Sequence, residues 1–477
     1  MRTSIGMACA AALLVAGCSA HATESGPQIT ARPDGVSISI PVQVTVEGLP
    51  AGDPVRVWAR TYDRNGQVWE SSGEFITDGV GGVDLSTAES TGGTYTGVDP
   101  HGLFWSMRLA DGEQAPYPLV DADDVVVQLG VDREGTTVAR TTLRRVVREP
   151  LGRVLPIAEE GLVGDLYLPP GSGVWPGVVL LGGAEGGRPD PAYAALLASE
   201  GYVVLGLAYF GLPGLPETLS RIPVEYGLTA ARWLAERPEV SGDKVGVIGV
   251  GRGAEYALLL ASTEPFRFAA VVAHGPSDVV WPGAGTGTQV SSWTRGGADV
   301  PFLRTSAIRS ALASASPSAS SGSSASSASS GSSASSARAP APPDQPVITA
   351  DAYARAVDAA SRWRLAVAGI HVEQIAAPVL FTAGDADGMW PSAAQAQRAF
   401  DAIVEEGNPH GAELLVFPGA GHLVGGVPDL PTTRAAVPFG PVTIETGGDP
   451  AATAAAVRET YAKTVDLLRT AMPRGKG

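Results

Sequence analysis

GVIGVGRGAEYALLLAS, residues 246–262, joins an apolar strand to an alanine- and leucine-rich helix through a turn that is almost all glycine. Strand, glycine turn and helix in this order form the frame that lifts an attacking side chain out of a sheet, and the frame ordinarily reads Gly-x-Ser-x-Gly. Here the five positions are Gly249, Val250, Gly251, Arg252 and Gly253. A glycine therefore stands where the attacking oxygen belongs. A second reading takes Gly249-x-Gly251-x-x-Ala254 as a dinucleotide loop. That loop belongs at the first strand of its unit, with an acidic residue closing the next strand. Two strand–helix units precede this one, the next strand ends at His274, and Asp278 comes too late. No Gly-Lys-Ser/Thr occurs, so a Walker loop is excluded.

The surroundings repeat the same alternation. PGVVLLGG, YVVLGLAYF, KVGVIGV, FAAVVAHG, PVLFTAGD and ELLVFPGAGH are apolar strands. PAYAALLASEGY, VEYGLTAARWLAER, AEYALLLAS and AAAVRETYAKTVDLLRTAM are helices between and after them. Strands apolar on both faces, alternating with helices, predict a mostly parallel, doubly wound sheet over residues 155–472. Residues 37–148 differ. SISIPVQVTVEGL, PVRVWARTYD, QVWESSGEF, DVVVQLGVD and TTVARTTLRRVV alternate with a period of two, divided by Asn-Gly, Asp-Gly and Gly-Gly turns. They predict an all-β, immunoglobulin-like sandwich of about seven strands over residues 31–148. One segment, 305–346, breaks the second pattern: from Ala313 to Ala337 everything but Pro317 is Ser, Ala or Gly. Such a composition predicts a disordered insertion.

The charge balance narrows the partners. The chain of 477 residues carries a net charge of −16 with 17% charged residues, and its mean hydropathy is +0.11. Nucleic-acid binding needs a basic face, so this class is excluded. MRTSIGMACAAALLVAGCSA has a basic start at Arg2, an apolar run from Ile5 to Val15 and small residues before Cys18. The run is too short to span a membrane and has the layout of an export signal. Val15-Ala16-Gly17-Cys18 resembles the lipobox of bacterial lipoproteins, with residues 1–18 as signal and 19–30 as a polar tether. Lipidated Cys18 would then anchor the protein on the outer face of the cytoplasmic membrane. Cleavage also removes Cys9, so no internal disulfide is expected.

Six histidines occur, and no two have the close spacing of metal ligands. No metal and no cofactor is expected. His422 follows the strand LLVF, in Pro418-Gly419-Ala420-Gly421-His422. A base in that loop, downstream of an acid after an earlier strand, follows the chain order of a Ser–Asp–His hydrolase. Asp385 and Asp387 both follow the strand PVLFTAG and compete as that acid, which would orient the imidazole. An oxyanion hole needs two backbone donors. Arg252 N, after the turn centre, is one candidate, and Ala184 N in Gly182-Gly183-Ala184-Glu185-Gly186-Gly187 is the other.

At this point the chain resembles the family of acyl-CoA thioesterases and bile acid-CoA:amino acid N-acyltransferases. PVQVTVEGLPAGDPVRVWARTYDRNGQVWESSGEF is similar to the family's N-terminal domain. PGVVLLGGAEGG, the LAYF…LP segment followed by EY, GDADGMWPS and FPGAGH are similar to its α/β-hydrolase domain. The resemblance implies Asp387 as the acid, His422 as the base and position 251 as the Ser or Cys nucleophile. It implies acyl thioesters or esters, acyl-CoA among them, as substrates. Gly251 departs from that pattern. Three readings follow: a hydrolase that activates water above Gly251, a surface-anchored protein that binds an acyl or lipid ligand without turnover, or an enzyme inactivated by the change of its serine alone.

Overall fold

The computed structural model describes residues 26–112, 124–283, 289–304, 348–433, 436–439 and 442–473. The export segment with Cys18 and the Ser/Ala-rich insertion 305–346 lie outside the described residues.

In the N-terminal half the period-two alternation becomes strands with one face inward. Pro54–Tyr62 buries Val55, Val57, Ala59 and Thr61 and exposes Arg56 between them. Gln28–Arg32, Gln43–Glu47 and Val83–Asp84 form a three-stranded sheet. The larger sheet is mostly antiparallel and runs Val36–Ser37, Thr136–Val146, Asp124–Arg133, Pro54–Tyr62, Val68–Ile76 and Gly92–Gly93, with Arg108–Leu109 beside Val68–Ile76. Val44, Val57, Trp69, Phe75, Leu129 and Leu143 meet in one core. The described residues hold ten strands rather than seven, because four are two residues long and carry no periodic signal. The first strand also begins inside the expected tether: Gln28–Arg32 pairs with Gln43–Glu47. Its short run QITAR is too brief to distinguish from a polar linker.

The second half is built on one eight-stranded sheet. Its strands are β1 (Arg153–Glu159), β2 (Leu162–Leu168), β3 (Gly177–Leu181), β4 (Val203–Ala208), β5 (Val245–Val250), β6 (Phe268–His274), β7 (Val379–Gly384) and β8 (Ala412–Phe417). They lie in the order β1-β2-β4-β3-β5-β6-β7-β8. The hairpin β1–β2 pairs antiparallel onto β4, and every later pairing is parallel. The helices are α1 (Pro191–Ser199), α2 (Val224–Ala235), α3 (Arg252–Thr263), α4 (Ala350–Asp358), α5 (Arg362–Ala368), α6 (Ser392–Glu405) and α7 (Pro450–Ala471). This is an α/β-hydrolase sheet covered on both sides. Helix α7 starts from Asp449, whose carboxylate accepts from Ala452 N, and Pro450 fixes the first turn.

The two faces of the sheet feed two cores. Val178, Leu180, Val204, Ile248 and Val272 pack with α1, α7 and the N-terminal sheets. Val179, Leu205, Val247, Val271 and Phe381 pack with α2, α3 and α6. The two halves are also joined by charge. Asp429 lies 3.0 Å from buried Arg145, 2.9 Å from His101 and 3.6 Å from Arg458. Burial alone would raise the Asp429 pKa, and His101 and Arg145 bring it below the ordinary value. Loops leaving β3, β5, β7 and β8 emerge at the carboxyl ends of parallel strands, where such sheets place their sites.

Candidate active site

The turn after β5 is a sharp elbow. Gly251 has φ 55° and ψ −115°, and its carbonyl accepts from Ala254 N at 3.0 Å as α3 begins. Its own N–H donates to the His274 carbonyl at 2.8 Å, which ties the elbow to the end of β6. The flanking glycines are dictated by space. A Cβ on Gly249 would stand 2.1 Å from the Gly253 carbonyl oxygen, and one on Gly253 would stand 2.2 Å from that of Gly182. The Gly182–Gly187 loop thus rests directly against the elbow. For Gly251 the reason differs: at positive φ, any residue with a Cβ is strained.

Facing the elbow is His422, which is 4% exposed. A Cβ on Gly251 would lie 2.9 Å from its Nε2. Its Nδ1 lies 2.7 Å from Asp387 Oδ2. A carboxylate oxygen accepts, so Nδ1 donates its hydrogen to Asp387 and Nε2 presents its lone pair toward Gly251. Asp387 is held in turn: Oδ2 accepts from Ser392 Oγ at 2.5 Å, and Oδ1 from Met389 N at 2.8 Å and Trp390 N at 3.2 Å. Asp385, the competing acid, points elsewhere and accepts from Gly419 N at 2.6 Å. The Trp390 ring stands edge-on to the imidazole, centroids 5.3 Å apart at 88°, and fixes its orientation.

One carbonyl aligns the two functional loops. Thr446 O accepts from Gly388 N at 3.0 Å and from His422 N at 2.8 Å. The approach is so close that a Cβ on Gly421 would stand 2.1 Å from the Gly447 carbonyl oxygen. Sequence reasoning missed Thr446-Gly447-Gly448, as it missed Ser392 and Trp390. The Gly-Gly pair after a short strand was the only available signal.

The two candidate oxyanion donors sit on adjoining elements. Arg252 N is in the first turn of α3, where N–H groups have no partner within the helix and the dipole favours negative charge. Ala184 is in the loop packed on that turn. The Arg252 side chain turns away into a buried cluster. Its Nη1 lies 2.9 Å from Glu255 Oε2, and Nη2 donates to Ser292 Oγ. Glu255 Oε1 also accepts from Trp293 Nε1 at 2.7 Å and Trp281 N at 3.2 Å. Burial raises the Glu255 pKa, opposed by the Arg252 charge.

Behind the elbow, His274 is fully buried between Thr382 Oγ1 at 2.8 Å from Nδ1 and Tyr193 OH at 3.2 Å from Nε2. Burial pushes its pKa down to about 3, so it stays neutral. His371 pairs with its neighbour Glu373 on the surface, and His101 belongs to the Asp429 cluster. Neither joins the site. The sequence-derived residues Gly251, Asp387 and His422 are therefore together, with Arg252 and the Ala184 loop alongside.

Comparison with known proteins fits this arrangement to a family. A profile described as acyl-CoA thioester hydrolase/BAAT N-terminal region matches residues 39–159. A second, described as BAAT / acyl-CoA thioester hydrolase C terminal, matches residues 222–289 and 349–473. The chain belongs to this family. It is 34% identical over 244 residues to acyl-coenzyme A thioesterase 1 of Rattus norvegicus, covering 49% of this chain and 57% of that protein. It is 34% identical over 262 residues to acyl-coenzyme A amino acid N-acyltransferase 2 of Mus musculus, covering 53% of this chain and 62% of that protein. With N-acyltransferase 1 of the same species identity is 29%, over 83% of this chain and 86% of that one. The first two matches thus span less than two thirds of the relatives' lengths.

Proposed function

We propose that the chain hydrolyses acyl thioesters or esters, acyl-CoA among them, by direct attack of water rather than through an acyl-enzyme. The observation that carries this reading is the buried His422–Asp387 pair, 2.7 Å apart, with Nε2 turned to a Gly251 that has no side chain to acylate. His422 takes a proton from water, and the hydroxide oxygen bonds to the acyl carbon. The carbonyl electron pair moves to oxygen, where Arg252 N and Ala184 N receive it. On collapse the bond to the leaving sulfur or oxygen breaks, and His422 returns its proton to that atom.

Family membership supports the acyl-group chemistry. Removing the nucleophile of a triad lowers the rate by several orders of magnitude while the base and oxyanion donors retain part of it. The purified chain would be assayed with acyl-CoA thioesters and aryl esters, beside His422→Ala. Turnover that disappears in His422→Ala supports the reading. Saturable binding of an acyl ligand with no turnover would instead make the chain a surface-anchored binding protein.

The N-terminal half supports the assignment of residues 31–148 as an immunoglobulin-like sandwich ahead of the hydrolase domain at 155–472. Residues 1–18 support export and lipidation at Cys18 on the outer face of the cytoplasmic membrane. Labelled-palmitate incorporation that Cys18→Ala abolishes is the expected result.

A further inference from the structure

The site carries a carboxylate for which the Asp387–His422 chemistry gives no role. Glu185 follows Ala184 in the loop packed on the elbow, and the residue as a whole is exposed. Its carboxylate nevertheless folds inward. Oε1 accepts from Gly183 N at 2.8 Å. Oε2 lies 2.6 Å from the point where a Cβ on Gly183 would stand. The carboxylate thus fills space that only a glycine at 183 leaves open. Enclosure of this end raises its pKa, and the backbone N–H groups of Glu185 and Gly183 oppose that rise. It also acts on the Tyr209 phenol, which it helps to keep neutral. The other ionisable groups around the site are Tyr209, whose hydroxyl donates to the Gly182 carbonyl at 2.7 Å, Asp387 on His422, and the buried Arg252–Glu255 pair. Glu185 is therefore an acid carried by the loop that packs on the elbow, next to the candidate oxyanion donor Ala184.

Resting on the water mechanism above, we propose that Glu185 takes over the positioning task of the missing hydroxyl. Its carboxylate accepts one hydrogen of the attacking water while His422 Nε2 removes the other. The water oxygen then bonds to the acyl carbon with its lone pair aligned. The same negative charge stabilises the imidazolium that forms as the proton moves to His422. A serine at 251 would supply an oxygen fixed by its own covalent bond. A water needs a second acceptor to be held in one place, and Glu185 provides it.

The test compares the purified full chain with Glu185→Gln and Gly183→Ala, using an aryl ester and an acyl-CoA thioester over a range of pH. Gly183→Ala leaves the carboxylate in the chain and displaces it with a Cβ. The expected result in both variants is a fall in kcat of about a hundredfold, the lower end of what a positioned proton acceptor contributes. KM should hold. A merely structural role for Glu185 would change KM and the melting temperature along with kcat. Turnover in the unmodified chain that Glu185→Gln leaves unchanged overturns the proposal and spares the hydrolase reading. Absence of turnover in the unmodified chain with every substrate overturns both.

Discussion

Gly251→Ser is the perturbation whose consequences the geometry fixes most closely. The new Cβ would stand 2.9 Å from His422 Nε2, whereas ordinary contact begins at 3.4 Å, so the imidazole must retreat by about 0.5 Å. It has room to do so only by pressing on Trp390 or loosening the 2.7 Å bond to Asp387. The backbone at φ 55° and ψ −115° costs a non-glycine residue about 1–3 kcal/mol. A less flexible unfolded chain offsets about 0.4–1 kcal/mol of that. The net loss is at most about 2–3 kcal/mol, or no more than a few °C in melting temperature. Against this, a triad serine is worth about a millionfold in kcat. A misplacement of about 1 Å costs about a hundredfold of such alignment, so the smaller retreat leaves a gain of at least about ten-thousandfold. The assay is rapid mixing with a p-nitrophenyl ester, followed by intact-mass measurement. A burst near one equivalent per site and an acyl adduct on the variant are expected. A folded Gly251→Ser protein showing neither, and no gain in rate, would refute the placement of the nucleophile position.

Other perturbations separate the contributions. Asp387→Asn keeps the shape but lets Nδ1 lose its hydrogen, so kcat of either the native or the Gly251→Ser chain should fall about ten-thousandfold with little change in melting; an unaltered kcat would remove Asp387 from the mechanism. Asp429→Asn leaves Arg145 buried without its counter-charge and should destabilise by about 3–5 kcal/mol in urea unfolding, while a loss below about 1 kcal/mol would show that the cluster contributes little. His274 binds a proton in the unfolded chain below pH 6.5 and in the folded chain only near 3. Stability should therefore be level above pH 6.5 and fall by about 1.4 kcal/mol per pH unit below it, reaching about 2 kcal/mol at pH 5. His274→Asn should flatten that part of the urea-midpoint profile, and an unchanged slope would show that His274 is not held neutral.

The sheet was legible because its strands are apolar on both faces and each ends in glycines, as Gly182, Gly251 and Gly384 do. The elbow was legible because Gly249 and Gly253 are forced by contacts within one turn and the neighbouring loop. His422 was readable from its place after the last strand. The competition between Asp385 and Asp387 was not decidable from the residues, since two positions apart both leave the same strand end, and only the resemblance favoured Asp387. The structure separates them by direction, one to the imidazole and one to Gly419 N. Thr446 was invisible because it acts through its carbonyl, which every residue possesses. Glu185 was visible as a residue but not as part of the site. Its position depends on a fold-back onto Gly183 that no periodicity encodes. The two-residue strands of the N-terminal half escaped for the same reason: their pairing is set by neighbours rather than by their own side chains.

The ion cluster at Asp429 bears on how such a protein can be cut or recombined. Asp429 lies seven residues beyond His422 on the same loop, yet Arg145 and His101, its two nearest partners, come from the N-terminal half. A hydrolase half expressed by itself would retain only Arg458, at 3.6 Å. The stretch that continues from the base would then bear an almost unpaired carboxylate at a newly wetted face. Chimaeras that exchange one half between relatives would meet the same obstacle unless the Arg145, His101 and Asp429 positions travel together. The boundary drawn between the two halves by strand type is thus a poor guide for dissection, because the joint that steadies the His422 loop is assembled from both sides of it.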